Sequence, residues 1–186
     1  MKKVKPAGLV FGSICLVLFT AKKGSQAKIP KDNEDYAGNH EAPDHEGGIP
    51  LHNLLVGYPK DVYQFGQTYY GVGDGSDSAE WRKIYEYKNH PNKPVFIYRS
   101  IASDVAPYYQ RINNGDWVGL TKEYAVLNGL NRYGDADNFV IVKSRVRAGE
   151  LFTEGNSVRE WGVSLKVNRP IISSVMNRKF YEYLLR

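Results

Sequence analysis

Residues 115–125 read GDWVGLTKEYA. Trp117 to Leu120 is a short run of β-favouring residues. Thr121 follows where its hydroxyl can accept an amide hydrogen bond from the first turn of a helix. That helix is predicted to run to Asn128, with Gly129 available to close it. A strand that passes straight into a helix through a capping threonine sets a corner, and corners of this kind border clefts.

Upstream, PVFIYRS (94–100) carries the apolar run Val95-Phe96-Ile97-Tyr98. It predicts a strand over Pro94–Tyr98, buried on both faces, with Arg99 emerging at the sheet's rim. Before it, Asp77 and Glu80 have the spacing of a capping box. Trp81, Ile84 and Tyr85 then form a helical stripe, edged by Lys88, that Asn89-His90-Pro91 ends. Downstream, Phe139–Val146 is the clearest strand, and Val163–Ile172 a second, with Pro170 pushing its end toward an edge. A last helix is predicted after Ser173 or Ser174, from the spacing of Val175, Met176, Lys179, Phe180, Tyr183 and Leu184. Strands and helices mix without a βαβ rhythm, which predicts an α+β domain.

The chain has 186 residues and is 42% hydrophobic, enough for one core with a short extension. Its 14 Tyr, 7 Phe and 3 Trp suit strands and stacking pockets alike. The net charge is +5, mild and dispersed. No basic run interleaved with aromatics is visible along the sequence, so nucleic acid is not an expected partner. Cys15 is the single cysteine, which excludes an intrachain disulfide and a paired-cysteine zinc site.

Lys2, Lys3 and Lys5 precede an apolar run from Ala7 to Ala21, and Ser25-Gln26-Ala27 offers small residues for a signal peptidase. Residues 1–27 read as a signal peptide or an uncleaved membrane anchor, and the protein as secreted or periplasmic. The apolar run continues past Cys15, against a lipid-bearing cysteine there. Residues 28–50, rich in charge, Pro and Gly, read as a flexible linker. The folded domain is then expected over 51–186.

Three side chains carry possible chemistry. Arg99 offers a rigid fork that matches phosphate, or is a surface arginine leaving the core. Thr121 can hold a sugar hydroxyl, or only cap its helix. Glu160, in ELFTEGNSVREWG (150–162), sits beside Trp161; it can stabilise an oxocarbenium-like charge, or is an exposed carboxylate on a turn. Other signals are weaker. Gly71-Val72-Gly73-Asp74-Gly75 is a turn without the Lys-Ser/Thr pair of a phosphate loop. His40, Asp44, His45 and Glu46 form a solvated tract. Asp135 and Asp137 lack calcium-loop spacing.

Taken together, these segments resemble the R-S-E pattern of the ADP-ribosyltransferase superfamily over roughly residues 51 to 172. Arg99 in FIYRSI matches the first element, Gly119-Leu120-Thr121 the second and Glu160 in NSVREWG the third. The stretch is also similar to uncharacterised phage and bacterial proteins of this type, including its lead-in LHNLLVGYPKDVYQFGQTYYG (51–71). The resemblance implies a compact, mainly antiparallel split-sheet core with flanking helices, and NAD as substrate. It implies that Arg99 grips phosphate or ribose and Thr121 holds the nicotinamide ribose. Glu160 would act at C1, and Tyr98, Trp117 or Trp161 would stack on nicotinamide. Two departures mark this chain. Gly119 and Leu120 replace two hydroxyl residues of the second element. Val158 stands where arginine-modifying members carry a second Glu. The acceptor is left open as a protein, a small molecule or water.

An alternative from another class is a non-catalytic binding module, secreted or attached to the envelope, that uses its aromatic surface. A glycan hydrolase reading needs two facing carboxylates, and Glu150 and Glu154 are poor partners for Glu160.

Overall fold

The computed structural model describes residues 41–71, 77–167 and 169–185. The segment 1–27 read as signal or anchor, most of the linker and most of the Gly71–Gly75 turn lie outside the described residues. In chain order the regular elements are β1 (Ile49–Pro50), α1 (Val62–Tyr69), α2 (Ser78–Tyr87), β2 (Pro94–Ala102) and β3 (Trp117–Val118). They continue with α3 (Lys122–Tyr133), β4 (Phe139–Arg147), β5 (Leu151–Thr153), β6 (Trp161–Val163) and β7 (Ser173–Val175). Short 3-10 turns link several of them.

The strands form two antiparallel sheets, ordered β1-β5-β6-β3 and β2-β4-β7. The domain is therefore α+β, the class predicted from the mixed order of elements. The sheets meet at Tyr98 and Gly119, which exchange two backbone hydrogen bonds, of 2.9 and 2.8 Å.

The β2–β4 pair runs in continuous register from Pro94 opposite Arg147 to Ala102 opposite Phe139. Residues directly opposite in an antiparallel pair share a face. One face carries Val95 with Val146 and Arg99 with Val142. It joins the main core around Trp81, Trp161, Leu51 and Ile84. Burying each of those large apolar side chains contributes roughly 2–3 kcal/mol. The other face carries Ser100 with Ile141 and Ala102 with Phe139, and α3 covers this end with Ala125 and Val126.

α3 is longer than predicted. It passes Gly129 and ends at Gly134, whose φ of +77° and hydrogen bond to the Leu130 carbonyl at 2.9 Å form the terminal turn. Gly129 has a packing role instead: a Cβ there would lie 2.5 Å from the Phe139 ring. β2 also outruns its prediction, so Arg99 sits within the strand and not at its rim. Asp77 takes the N-cap position of α2 without a side-chain cap bond, and Glu80 turns inward to Thr121, so no capping box forms.

Three readings are corrected near the ends. The predicted strand over Val163–Ile172 stops at Val163. The Ser164 amide still bonds the Glu150 carbonyl in register, and the Leu165 amide then turns to Asn114 Oδ1 and leaves the ladder. The predicted last helix is instead β7 followed by 3-10 turns at Arg178–Phe180 and Glu182–Leu185. Ser173 does not cap a helix. Its Oγ accepts the Ile112 amide and bonds Ser144 Oγ, tying the segment to β4. Finally, Ile49–Pro50 pairs with β5, so ordered backbone reaches back into the stretch read as linker. Among the described residues, no helix is long and apolar enough to cross a membrane.

Candidate active site

A cleft of about 950 Å³ opens where the two sheets meet. Its walls come from β2, the loop before β3, the inner side of α3, the segment entering β6, and residues 41–45. Arg99 and Glu160, both singled out from sequence, line it together with Tyr98 and Trp117. Thr121 and Trp161 do not.

Arg99 is held by an ion pair with Asp116 on the loop before β3. Asp116 is itself fixed. Its Oδ2 accepts the Asn113 amide at 2.7 Å, and its carbonyl accepts the Val163 amide at 3.0 Å. The guanidinium is thus oriented at the cleft before any ligand arrives, and its remaining N–H groups can serve an anion.

Glu160 lies on the irregular segment between β5 and β6. That segment is knitted locally. Thr153 Oγ1 donates to the Ser157 carbonyl and accepts the Gly155 amide, and Gly155 takes a φ of +90°. Val158 is buried in the core and anchors the turn from below. The residue two before Glu160 therefore points away from the cleft. The Glu160 carboxylate accepts a 2.6 Å hydrogen bond from the Tyr124 hydroxyl. Burial first, and the bond to Glu160 second, push the Tyr124 phenol well above its ordinary pKa. It is a neutral donor throughout the physiological range. Asn128, one turn further along α3, also bonds Tyr124 and accepts a hydrogen bond from Ser100 Oγ at 2.9 Å.

Thr121 is buried, with its hydroxyl donating to Glu80 Oε1 at 2.5 Å and accepting the Tyr124 amide at 3.2 Å. It caps α3 and locks it to α2, so the direct sugar contact expected of it is corrected to a structural one. Trp161 is fully buried, its indole N–H donating to the Val158 carbonyl at 3.0 Å. A core position leaves it no face for stacking. Trp117 is half-buried at the cleft and keeps that capacity, whereas Tyr98, next to Arg99 on β2, turns its ring to the opposite face, where Lys143 Nζ lies 6.0 Å from its centre.

Residues 41–45 are a wall that sequence reading assigned to the linker. Pro43 crosses β6 directly over Gly162, where a Cβ would come within 2.1 Å of the Pro43 carbonyl oxygen. His45 Nδ1 bonds Ser164 Oγ at 2.8 Å, fastening the segment to the end of β6. Among the described residues no group of three or more His, Cys, Asp or Glu is placed to hold a metal ion.

Tyr124, Asn128 and Asp116 are the functional candidates that sequence reading missed. Tyr124 and Asn128 lie four residues apart on the predicted helix, a spacing that puts two polar groups on one face. Comparison with protein families, curated proteins and solved structures finds no match to this chain.

Proposed function

We propose that the cleft binds NAD and cleaves its nicotinamide–ribose bond, passing ADP-ribose to a protein, a small molecule or water. The observation that carries this reading is the convergence of Arg99 and Glu160, far apart in sequence, on one cleft that Trp117 also lines. The meeting of two antiparallel sheets beside that cleft supports an ADP-ribosyltransferase-like split-sheet core.

In this reading Arg99 binds the pyrophosphate, and Trp117 stacks on the nicotinamide ring. The C1–N bond breaks with its electron pair passing to the pyridinium nitrogen, so nicotinamide leaves neutral. Glu160 accepts a hydrogen bond from the ribose 2′-hydroxyl and offsets the positive charge developing at C1. Water, or an acceptor oxygen or nitrogen, then attacks C1 and loses a proton. Val158 offers no second carboxylate to steer a guanidinium acceptor, which favours acceptors other than arginine. The charged and apolar N-terminal segment supports a secreted or periplasmic site of action.

Thermal melting of the purified 186-residue chain with and without NAD tests the binding step. A ligand that binds only the folded state raises the melting temperature. NAD raises it for wild type and much less for Arg99→Gln. Stabilisation by a protein or glycan with none from NAD would replace this reading with the non-catalytic binding module.

A further inference from the structure

α3 covers one end of the second face of the β2–β4 pair and leaves the other end open. On that open end Phe96 lies opposite Arg145, and Pro94 opposite Arg147. Lys143 is next along β4 on the same side. Phe96, Arg145 and Arg147 are exposed, and Lys143 is half-buried. Three cations therefore stand in a row on alternate residues of β4, about 7 Å apart, with the exposed Phe96 ring among them and the half-buried Tyr98 ring opposite Lys143. Lys143 Nζ sits 3.8 Å from the Phe96 ring centre and the Arg145 guanidinium carbon 5.8 Å from it. The row leads into a groove of about 550 Å³ that adds Arg82 and Lys122. Two carboxylates also line that groove. Glu86 pairs with Lys83 and Lys93, and Glu123 takes a hydrogen bond from Tyr183.

We propose that this open half-face is a docking surface for single-stranded nucleic acid. The ring and the cations are complementary to the two halves of a nucleotide. A base has a π-face for Phe96, and the phosphates that follow it suit Lys143, Arg145 and Arg147 at a spacing close to that of successive phosphates along a strand. Lys143 now covers the Phe96 ring through a cation–π contact. A base that takes its place sends the ammonium to the adjoining phosphate. An acidic polypeptide satisfies the cations but reaches the exposed ring only where an apolar or aromatic residue falls in register, whereas every nucleotide pairs a phosphate with a π-face, so nucleic acid is the better fit. The sequence hides this surface because the cations alternate with the core residues Ser144 and Val146, and because Phe96 reaches them only through the β2–β4 register.

The test is fluorescence anisotropy with a labelled oligothymidylate and an oligouridylate of twelve nucleotides, titrated with the 186-residue chain over a range of salt. Three phosphate contacts give a slope of log K against log salt of about −2. Replacing Lys143, Arg145 and Arg147 together by Ala removes most of that slope. Phe96→Leu, which keeps apolar bulk but loses the stacking face, weakens binding roughly tenfold at an unchanged melting temperature. Arg145→Glu with Arg147→Glu, at two exposed positions, is the second variant if the triple one does not fold, and it abolishes binding. Wild-type affinity and slope in the charge variants would overturn the proposal. So would competition by polyglutamate as strong as by oligonucleotide with Phe96→Leu unaffected, which marks an acidic polypeptide site instead.

Discussion

The Tyr124 hydroxyl donates to Glu160 Oε1 at 2.6 Å, joining the first turn of α3 to the segment that enters β6. Glu160 has no regular secondary structure of its own to orient it, whereas Tyr124 is fixed by its amide bond to Thr121 and by Asn128. Tyr124→Phe keeps the ring and removes the donor. In the proposed reaction kcat for nicotinamide release falls roughly tenfold to a hundredfold, while KM stays within about threefold because the phosphate grip is untouched. Stability falls by only about 1 kcal/mol. Steady-state kinetics beside a urea melt checks this; an unchanged kcat would show that Tyr124 does not position the carboxylate.

Thr121 works through the fold. Its hydroxyl serves Glu80 on α2 and the Tyr124 amide on α3 at once, at a buried site. Thr121→Val strips the donor from a buried carboxylate and removes a helix cap, and stability drops by roughly 2–4 kcal/mol. Thr121→Ser keeps both bonds and stays close to wild type in stability and NAD turnover. Turnover lost in Thr121→Ser without loss of stability would restore a direct role in ligand contact.

Gly162 is where the chain crosses itself. The Pro43 backbone lies where a side chain would go, so Gly162→Ala must push residues 43–45 off β6. The fastening of His45 to Ser164 is then lost, and with it one wall of the cleft. Limited proteolysis detects this as faster cleavage near residues 41–46 than in wild type. Equal protection in both would mean that this segment is held elsewhere.

His52 gives a pH dependence of defined sign. Its Nδ1 is buried without a hydrogen-bond partner, and burial first, then the nearby charge of Lys166, lower its pKa below the ordinary value. An unfolded histidine takes up its proton near pH 6.5. As pH falls through that value, the unfolded chain binds a proton that the folded chain refuses, and stability is lost. The contribution is complete above about pH 7 and declines on acidification toward the lower, folded-state pKa. Urea melts at pH 7.5 and 5.5 show the decline in wild type and a smaller one in His52→Gln. Equal declines would assign the effect to other groups.

Elements whose signal is local were legible in the sequence. β4 follows from the alternation of Val140 to Val146, and α2 from the stripe of Trp81 and Ile84. The C-terminal part was not, because its conformation is set by distant partners. Val175 has helical spacing with Met176 and Lys179, yet it pairs with Val142, and the Ser173 hydroxyl that could cap a helix is taken by Ser144 and Ile112. The same division holds at the site. Arg99 and Glu160 were visible as chemistry. The neighbours that orient them, Asp116 and Tyr124, become visible only once β3 and α3 are placed. Trp161 next to Glu160 suggested a stacking ring, but Glu160 ends the irregular segment at the cleft while Trp161 opens β6 with its indole in the core.

Nicotinamide release is the most direct measure of the central claim. The 186-residue chain is incubated with NAD, and free nicotinamide is followed by chromatography beside Glu160→Gln, which keeps the shape of the side chain and removes its charge. Release by wild type, reduced by roughly a hundredfold or more in Glu160→Gln, is the predicted result. No release by wild type, or equal release by both proteins, would contradict the assignment of Glu160 as the group that cleaves NAD.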